Sequence, residues 1–378
     1  MNGVKNSTKC LTLLSEILLT QDANAGSSES SSSQVRNDTN DTAEQMPRKA
    51  ASLRTEEMEE LEALASSHHI VMRAFPILQQ MTALEGRTDL AERAGKTVEK
   101  ERNRIQGALS FLEPICRALE AGGNVIVIKS LDHWPDLGSD LDLFTDGAAP
   151  DVVALMQKHF NAKLAERSWG DRLAGKWNFV VPGLPELVEV HVGRLGQTGE
   201  QIATAKSLIA RARSVQIGSY NFRVPAPEER LVISTLQRMY RHFYIRLCDI
   251  IDNAQLVDTG KIDYDRLRSL ARCAGLWDGL ATYLVIISDY AESYRGKELP
   301  LPALVTSEAR FGAEEVYFRR NFIRIPLLPH GASLYASELR RLLLNGEIRN
   351  TLRLSLLPGL ATAAAVELKL TGSDKGIW

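Results

Sequence analysis

Two aspartates placed two residues apart are the feature of the sequence best suited to chemistry. Asp140 and Asp142 lie in the segment SDLDLF, where Leu141 and Leu143 alternate with them. Because successive side chains of a strand point to opposite faces, both carboxylates leave one face and both leucines enter the core. Neighbouring like charges repel unless a cation neutralises them. The pattern predicts either a site for Mg²⁺, which prefers oxygen ligands, or a strand end whose acids face water.

A second predicted strand supplies another acid. In LVEVHVG, Glu189 and His191 share one strand face, and valines occupy the other. A third carboxylate near Asp140 and Asp142 would complete a two-metal site or a metal site with a base. Lys129 directly follows the apolar run NVIVI, so its ammonium is predicted to meet a phosphate or the acid pair. The alternative is a lysine that reaches solvent.

The composition limits the classes of protein that these residues belong to. The chain has 378 residues, 44% hydrophobic and 24% charged, which allows a large core and predicts two or three domains. A net charge of −2 gives no general basic field that would attract nucleic acid or anionic membranes. The four cysteines lack the CxxC spacing of zinc knuckles. No apolar run is long enough to cross a bilayer, so the sequence predicts no membrane partner and a cytoplasmic protein.

The order of apolar patterns predicts an α+β fold, with a small mixed β-sheet core between N-terminal helices and a C-terminal helical domain. Serine, asparagine, aspartate and threonine dominate 22–50, which predicts a disordered linker. The six predicted regions are a short amphipathic helix at 1–21, the linker at 22–50, an N-terminal helical region at 51–122, the α/β core at 123–224, a helical domain at 225–298 and a mixed extension at 299–378.

These motifs together resemble a known superfamily. The Lys-Ser pair at 129–130, nine intervening residues, the DLD triplet at 140–142 and the strand-borne Glu189 resemble the polymerase-β-like nucleotidyltransferases. In that superfamily, a Gly-Ser or similar pair precedes an acid-x-acid pair and a third acid. The segments VIVIKSLDHWPDLGSDLDLF and LVEVHVGRL, with the helical segment after Pro225, look more closely like a largely uncharacterised family of bacterial nucleotidyltransferases. The resemblance covers about residues 100 to 260.

The resemblance implies an enzyme that transfers a nucleoside monophosphate from ATP or another NTP to a hydroxyl acceptor, with release of pyrophosphate. It assigns Mg²⁺ or Mn²⁺ to Asp140, Asp142 and Glu189. These acids and Lys129 are the catalytic residues that it implies, and Lys129 would offset developing negative charge. Glu189 replaces the aspartate that is more frequent in the family, which keeps the charge on a longer side chain.

The same resemblance implies a nucleotide site. Ser130 stands where the family has glycine, so its hydroxyl would contact phosphate instead. Pro227 is predicted to begin one helix that continues to Ile250, with Asp249 and three basic residues on a polar strip. That strip either lines the nucleotide or acceptor side of a cleft or is a solvated face. The residues expected to contact the nucleotide are Ser130, Gly138, Ser139, His191, Arg238, His242 and Arg246.

Two other functions fit the same motifs. One is a catalytically silent nucleotidyltransferase fold that serves as a binding or regulatory module, of the toxin–antitoxin type. The other is a DxD glycosyltransferase, which is disfavoured because no long nucleotide-binding βαβ series precedes the DxD. The acceptor stays open between a small-molecule hydroxyl, a protein side chain and an RNA end. The local basic patch available for RNA consists of Arg319, Arg320, Arg324, Arg340 and Arg341.

Overall fold

Amphipathic helices form the N-terminal part of the protein. The computed structural model describes residues 2–25 and 45–371. The helices of this part are α1 (Asn2–Ala25), α2 (45–51), α3 (Thr55–Ser67), α4 (Val71–Leu84) and α5 (Thr88–Leu119). Leu14 and Ile17 of α1 and Leu61 of α3 are fully buried where these two helices pack together, which confirms their predicted apolar stripes.

Part of the segment predicted as a linker is helical. Residues 22–25 belong to α1, and 45–51 form α2, while 26–44 lie outside the described residues. Met46 and Ala50 of α2 are buried in the core. Burial of these two apolar side chains stabilises the helix, and the polar composition of the surrounding segment did not indicate it.

A mixed five-stranded sheet is the centre of the α/β part. Its strands are β1 (Val125–Val127), β2 (Asp140–Thr145), β3 (Lys163–Leu164), β4 (Lys176–Val180) and β5 (Leu187–Val192). The order is β1-β2-β5-β4-β3, in which β2 and β5 are parallel and the other neighbours are antiparallel. This sheet confirms the predicted mixed α+β class.

Alternation along the strands buries one face of the sheet. Leu141 and Leu143 of β2 and Val188 and Val190 of β5 are fully buried. They pack in one core with apolar side chains of α5 and of α6 (Ala149–Phe160), which follows β2. The helix α7 (Trp169–Ala174) leads into β4. The polar residues of β2 and β5 therefore emerge on the opposite face.

A β-hairpin covers the outer side of β1. After α8 (Ile202–Arg211), the strands β6 (Arg213–Ile217) and β7 (Tyr220–Val224) pair with each other, and β7 packs beside β1. This packing explains why β1 is buried although it is an edge strand of the five-stranded sheet. No local pattern in the sequence indicated this hairpin.

The prediction of a single helix from Pro227 to Ile250 is wrong. The chain forms α9 (Pro227–Thr235), a π-helical turn (Leu236–His242), β8 (Tyr244–Ile245) and then α10 (Leu247–Asp258). Phe243 has a left-handed backbone with φ of +53°, which ends the helical turn. The Asp249 side chain then accepts a 2.8 Å hydrogen bond from the Arg246 N–H and begins α10.

The remaining chain is mostly helical. The elements are α11 (Tyr264–Ala274), α12 (Trp277–Arg295), α13 (Ala303–Thr306), β9 (Tyr317–Arg319), β10 (Phe322–Arg324), α14 (Ala332–Leu344), α15 (Ile348–Ser355) and α16 (Leu357–Thr371). β8, β10 and β9 form a three-stranded sheet. Among the helices of the described residues, none has the length and apolarity that crossing a bilayer requires.

Candidate active site

Asp142 and Glu189 lie side by side. Asp142 on β2 pairs in register with Glu189 on β5, because these strands are parallel neighbours. Their apolar neighbours point into the core, so both carboxylates emerge on the opposite face. One possible ligand atom each from Asp142, Glu189 and His191 lies within 4.8 Å of the other two. The structure thus brings together acids that are far apart in the sequence, whereas Asp140 is not part of this close group.

Lys129 connects the two carboxylates. Its ammonium forms an ion pair with Asp142 and another, at 3.4 Å, with Glu189 Oε1. The Lys129 backbone is left-handed, with φ of +61°. A residue with a Cβ atom adopts this conformation at a cost in free energy, and such strain often accompanies functional sites.

Lys176 is a second lysine at the acids, and sequence reasoning missed it. It begins β4, is 4% exposed, and lies with Nζ 2.6 Å from Glu189 Oε2. A second ion pair, at 3.4 Å, joins it to Asp171. The sequence shows only a lysine at the first position of an apolar strand. The pairing of β4 with β5 is what places its ammonium beside Glu189.

Burial and neighbouring charges shift the pKa values of these groups in different directions. Burial raises the pKa of Asp142, although Lys129 opposes this effect. Burial also opposes ionisation of Glu189, but Lys129 and the hydrogen bond from His191 hold the pKa of Glu189 well below its usual range. The pKa of Asp140 is raised by burial and by the charge of Glu189. An additional cation would therefore stabilise the ionised acids.

His191 has one satisfied ring nitrogen and one without a partner. Nε2 lies 2.7 Å from Glu189 Oε1, so Nε2–H donates to that carboxylate. Nδ1 is buried and has no hydrogen-bond partner among the described residues. Burial lowers the pKa of His191 to about 4. The ring is therefore neutral near pH 7 and presents a lone pair at Nδ1.

Among the described residues, the Ser130 hydroxyl forms two hydrogen bonds, whereas the Asp140 carboxylate forms one. The buried Ser130 hydroxyl donates to the Asp140 carbonyl oxygen at 3.0 Å and accepts from the Asp142 N–H at 2.7 Å. It ties the loop after β1 to β2, and a contact to phosphate would have to replace one of these bonds. The Asp140 carboxylate forms no ion pair within the described residues, and its Oδ2 accepts a 3.4 Å hydrogen bond from Ser139.

Gly138 and Ser139 form the predicted turn into β2. Arg104 of α5 holds this turn by donating to the carbonyl oxygens of Leu137 and Gly138 at 2.9 and 3.3 Å. The same guanidinium forms a 2.7 Å ion pair with Glu186. The turn is therefore anchored to the long helix beneath the sheet.

One cleft is lined by most of the predicted site residues, and we call it the acid cleft. The predicted residues that line it are Lys129, Ser130, Gly138, Ser139, Asp140, Asp142, Arg238, His242 and Arg246. Glu189 and His191 do not line it. Lys129 connects them to it through the ion pair with Glu189.

The basic wall of the acid cleft comes from the π-helical turn and the segment after it. Arg238 is 1% exposed, and its Nε lies 2.7 Å from Asp249 Oδ2, while Nη1 has no hydrogen-bond partner among the described residues. Arg246 Nη1 lies 2.6 Å from a ring nitrogen of His69. Burial and the charge of Arg241 lower the pKa of His242 to about 2. This wall therefore favours bound negative charge.

Other cleft residues escaped the sequence analysis. His69, Gln237 and Tyr244 line the acid cleft. The ring of Tyr244 stacks on Phe322 of β10 at 4.4 Å between centroids, which joins the C-terminal sheet to the cleft wall. No local pattern indicated these residues. Gln237 belongs to the π-helical turn, Tyr244 to β8, and His69 to the connection between α3 and α4, so only the tertiary structure brings them to one cleft.

A buried ion-pair network positions the loop between β1 and β2. Arg73 of α4 bridges Asp136 of this loop, at 3.0 Å, and Asp252 of α10, at 2.8 Å. Asp252 Oδ2 also lies 2.5 Å from His133 Nδ1, and Cys248 Sγ lies 3.7 Å from His133 Nε2. Arg73 thus joins α4, the β1–β2 loop and α10.

The donor set at the acids fits Mg²⁺ or Mn²⁺. Asp142 and Glu189 supply closely spaced carboxylate oxygens, which are the ligands that hard divalent ions prefer. Asp140 offers a carboxylate without an ion pair at the start of the same strand. Lys129 competes for these oxygens, since its ammonium already contacts both paired acids.

Comparisons with known proteins do not assign the chain to a family. No protein-family model, curated protein or solved structure matches it. What the site does must therefore be inferred from its own residues and geometry.

Proposed function

We propose that the protein is a metal-dependent nucleotidyltransferase that transfers a nucleoside monophosphate from an NTP to a hydroxyl acceptor. The observation that carries the proposal is the in-register pairing of Asp142 with Glu189, joined by Lys129 to a cleft with a basic opposite wall. Acids on one side and arginines on the other suit a divalent cation and a triphosphate bound together. On this proposal, the small mixed sheet is a nucleotidyltransferase core.

Side chains of the acid cleft, together with the adjoining Glu189, have distinct roles in binding the nucleotide. Asp140, Asp142 and Glu189 would hold Mg²⁺ or Mn²⁺, which when bound neutralises phosphate charge and orients the triphosphate. Lys129 offsets negative charge on the transferred group. Arg238 has a buried Nη1 that lacks a hydrogen-bond partner in the described part of the chain and would donate to a phosphate oxygen.

The reaction exchanges one phosphorus–oxygen bond for another. The acceptor hydroxyl oxygen forms a bond to the α-phosphorus while the bond from the α-phosphorus to the bridging oxygen of the β-phosphate breaks. Pyrophosphate leaves with the bonding electrons. The hydroxyl proton passes to Glu189, whose ionised form is stabilised by Lys129 and Lys176.

A nucleotide-binding module without turnover is the second candidate. Lys129 contacts both Asp142 and Glu189, so these acids have a cation even without a metal ion. A site of this kind would bind NTPs through its arginines independently of Mg²⁺, and it would release no pyrophosphate.

The proposed function is tested with the purified full-length protein and each of the four α-labelled NTPs. The assay contains Mg²⁺ and a cell extract as the source of acceptors, and it measures label transfer and pyrophosphate release. We expect transfer with at least one NTP. Asp142→Asn should lower the rate by roughly a hundredfold, since it removes a charge that acts on the transition state.

The control variant is Asp151→Asn, which changes an exposed acid in the first turn of α6 and should leave the rate unchanged. Calorimetric titration with a non-hydrolysable NTP separates the two candidates. Binding that requires Mg²⁺ and is lost in Asp142→Asn supports the enzyme. Binding without Mg²⁺ that Asp142→Asn leaves intact, together with no pyrophosphate release, favours the silent module.

A further inference from the structure

A second cleft shares Lys129 and Gln237 with the acid cleft, and we call it the His191 cleft. Four buried apolar residues from the end of β1, the loop after β5 and the helical segment around α9 form one part of its wall. These residues are Ile128, Leu195, Ile233 and Leu236. The two clefts thus differ in character, since the acid cleft is lined mainly by charged and polar groups.

His191 lines this second cleft and carries an unused hydrogen-bond acceptor. Its side chain is more than nine-tenths buried, and Nε2–H donates to Glu189. Nδ1 has no partner within the described part of the chain. A buried acceptor without a partner in the described residues is unfavourable, and because His191 lines the cleft, a ligand that donates a hydrogen bond would satisfy it.

Arg241 is the second unused polar group of the His191 cleft. The residue is half-buried on the π-helical turn and forms no ion pair or hydrogen bond within the described residues. The two arginines that line the acid cleft are already in contact with other residues, Arg238 with Asp249 and Arg246 with His69. A guanidinium without a partner beside an apolar wall is suited to bind a carboxylate or a phosphate.

We propose that the His191 cleft binds the acceptor, and that the acceptor is a small apolar molecule with a hydroxyl at one end and an anionic group at the other. This inference rests on the proposed nucleotidyl transfer. The hydroxyl donates to His191 Nδ1, the apolar body contacts the leucine and isoleucine wall, and the anion pairs with Arg241. His191 then lies between the acceptor hydroxyl and Glu189, the carboxylate that receives the proton in the proposed reaction.

The shared residue Lys129 explains how two ligands would meet. Lys129 lines both clefts and contacts Asp142 and Glu189. A nucleotide in the acid cleft and an acceptor in the His191 cleft would therefore approach each other at the acids. A hydroxyl held at His191 would face the α-phosphoryl group from the apolar side. Less water is present there to accept the nucleotidyl group in place of this hydroxyl.

The test measures direct binding of defined probes to the full-length protein by ligand-observed NMR. The probes are the ω-hydroxy acids from ω-hydroxybutyrate to ω-hydroxyoctanoate, with hexanoate and hexanediol as matched compounds that lack the hydroxyl or the carboxylate. We expect at least one hydroxy acid to bind more tightly than both matched compounds. Arg241→Gln should weaken its binding by about tenfold, the effect of one lost charge-assisted hydrogen bond.

A second variant tests the hydroxyl contact. His191→Phe keeps a ring of similar size but removes Nδ1, so ω-hydroxyhexanoate should bind no better than hexanoate. Arg340→Gln, which changes an exposed arginine of α14, is the control and should leave probe binding unaltered. Circular dichroism of each variant verifies that it is folded.

The outcomes separate this inference from the proposed function. If no hydroxy acid binds, or if Arg241→Gln binds it as well as the unmodified protein does, the acceptor assignment is overturned, even when Mg²⁺-dependent NTP binding is present. If a hydroxy acid binds through Arg241 and His191 but NTPs do not bind, the cleft is a ligand site and the nucleotidyl-transfer proposal fails.

Discussion

At the scale of single residues, charge compensation around Glu189 dominates the site. The Glu189 carboxylate oxygens lie 3.4 Å from Lys129 Nζ, 2.6 Å from Lys176 Nζ and 2.7 Å from His191 Nε2. Its partner across the strands, Asp142, is also contacted by Lys129. Removing one member of a buried ion pair leaves the other charge without compensation, which costs more than the pair contributes.

Lys176→Met is expected to lower the free energy of unfolding by about 3 kcal/mol, since it leaves Glu189 and Asp171 with fewer positive neighbours. Urea unfolding measures the effect. Lys163→Met on the neighbouring strand β3 is the control, because Lys163 is exposed, and its effect should stay within about 0.5 kcal/mol. Equal stabilities of the two variants would contradict the assigned role of Lys176.

At the scale of elements, the basic wall depends on how the N-terminal helices, α10 and the β9–β10 turn meet. His68, at the end of α3, joins them. Its Nδ1 accepts a 2.8 Å hydrogen bond from the Leu247 N–H, and its Nε2–H donates to the Asn321 carbonyl oxygen at 2.6 Å. Only a neutral imidazole can accept a hydrogen bond at Nδ1 and donate one from Nε2 at the same time. Protonation would place a hydrogen on Nδ1 and so break the hydrogen bond from α10.

Acid should therefore weaken the fold at His68. Burial lowers the pKa of His68 from 6.5 to about 4, so the folded state disfavours the protonated ring. The corresponding stability is fully present above pH 6.5 and is lost as the pH falls toward 4, with a total of about 3 kcal/mol. Urea titrations across this range should show a steeper loss for the unmodified protein than for His68→Asn, which cannot titrate.

The exposed His159 provides the control for this measurement. His159→Asn should reproduce the acid dependence of the unmodified protein. If His68→Asn also reproduces it, the loss of stability in acid has another origin.

At the scale of the whole molecule, Arg73 holds three parts of the fold together. Its guanidinium joins the N-terminal helices to Asp136 in the β1–β2 loop and to Asp252 in α10. Both aspartates are buried, and burial raises the pKa of Asp136 to about 6 even though Arg73 opposes the shift. The position of the acid cleft between these parts therefore depends on one buried cation.

Arg73→Met is expected to lower the free energy of unfolding by about 3 to 5 kcal/mol, because it leaves two buried carboxylates with less compensation. Arg93→Met is the matched control on α5, where Arg93 pairs with Glu59 near the surface, and it should cost less than about 1 kcal/mol. Chemical denaturation compares the two variants. Similar losses would show that the network is not specifically stabilising.

Much of this protein follows from local sequence patterns. The strand at 187–192 has the predicted bounds, and its alternation places Glu189 and His191 on one face, as the alternation of β2 does for Asp140 and Asp142. The helices α3, α4 and α5 also lie within the region at 51–122 that the sequence predicts to be helical. These features depend on residues close in sequence, whose spacing alone sets which side chains share a face.

Tertiary structure decided the rest. The parallel pairing of β2 with β5 places Asp142 beside Glu189, and the pairing of β4 with β5 brings Lys176 to the same carboxylate. The contact of β8 with β10 accompanies the break of the predicted helix after Pro227, which creates the π-helical turn that carries Arg238 and Arg241. These arrangements depend on contacts between segments distant in sequence, and neither hydrophobic period nor residue type specifies which strands become neighbours.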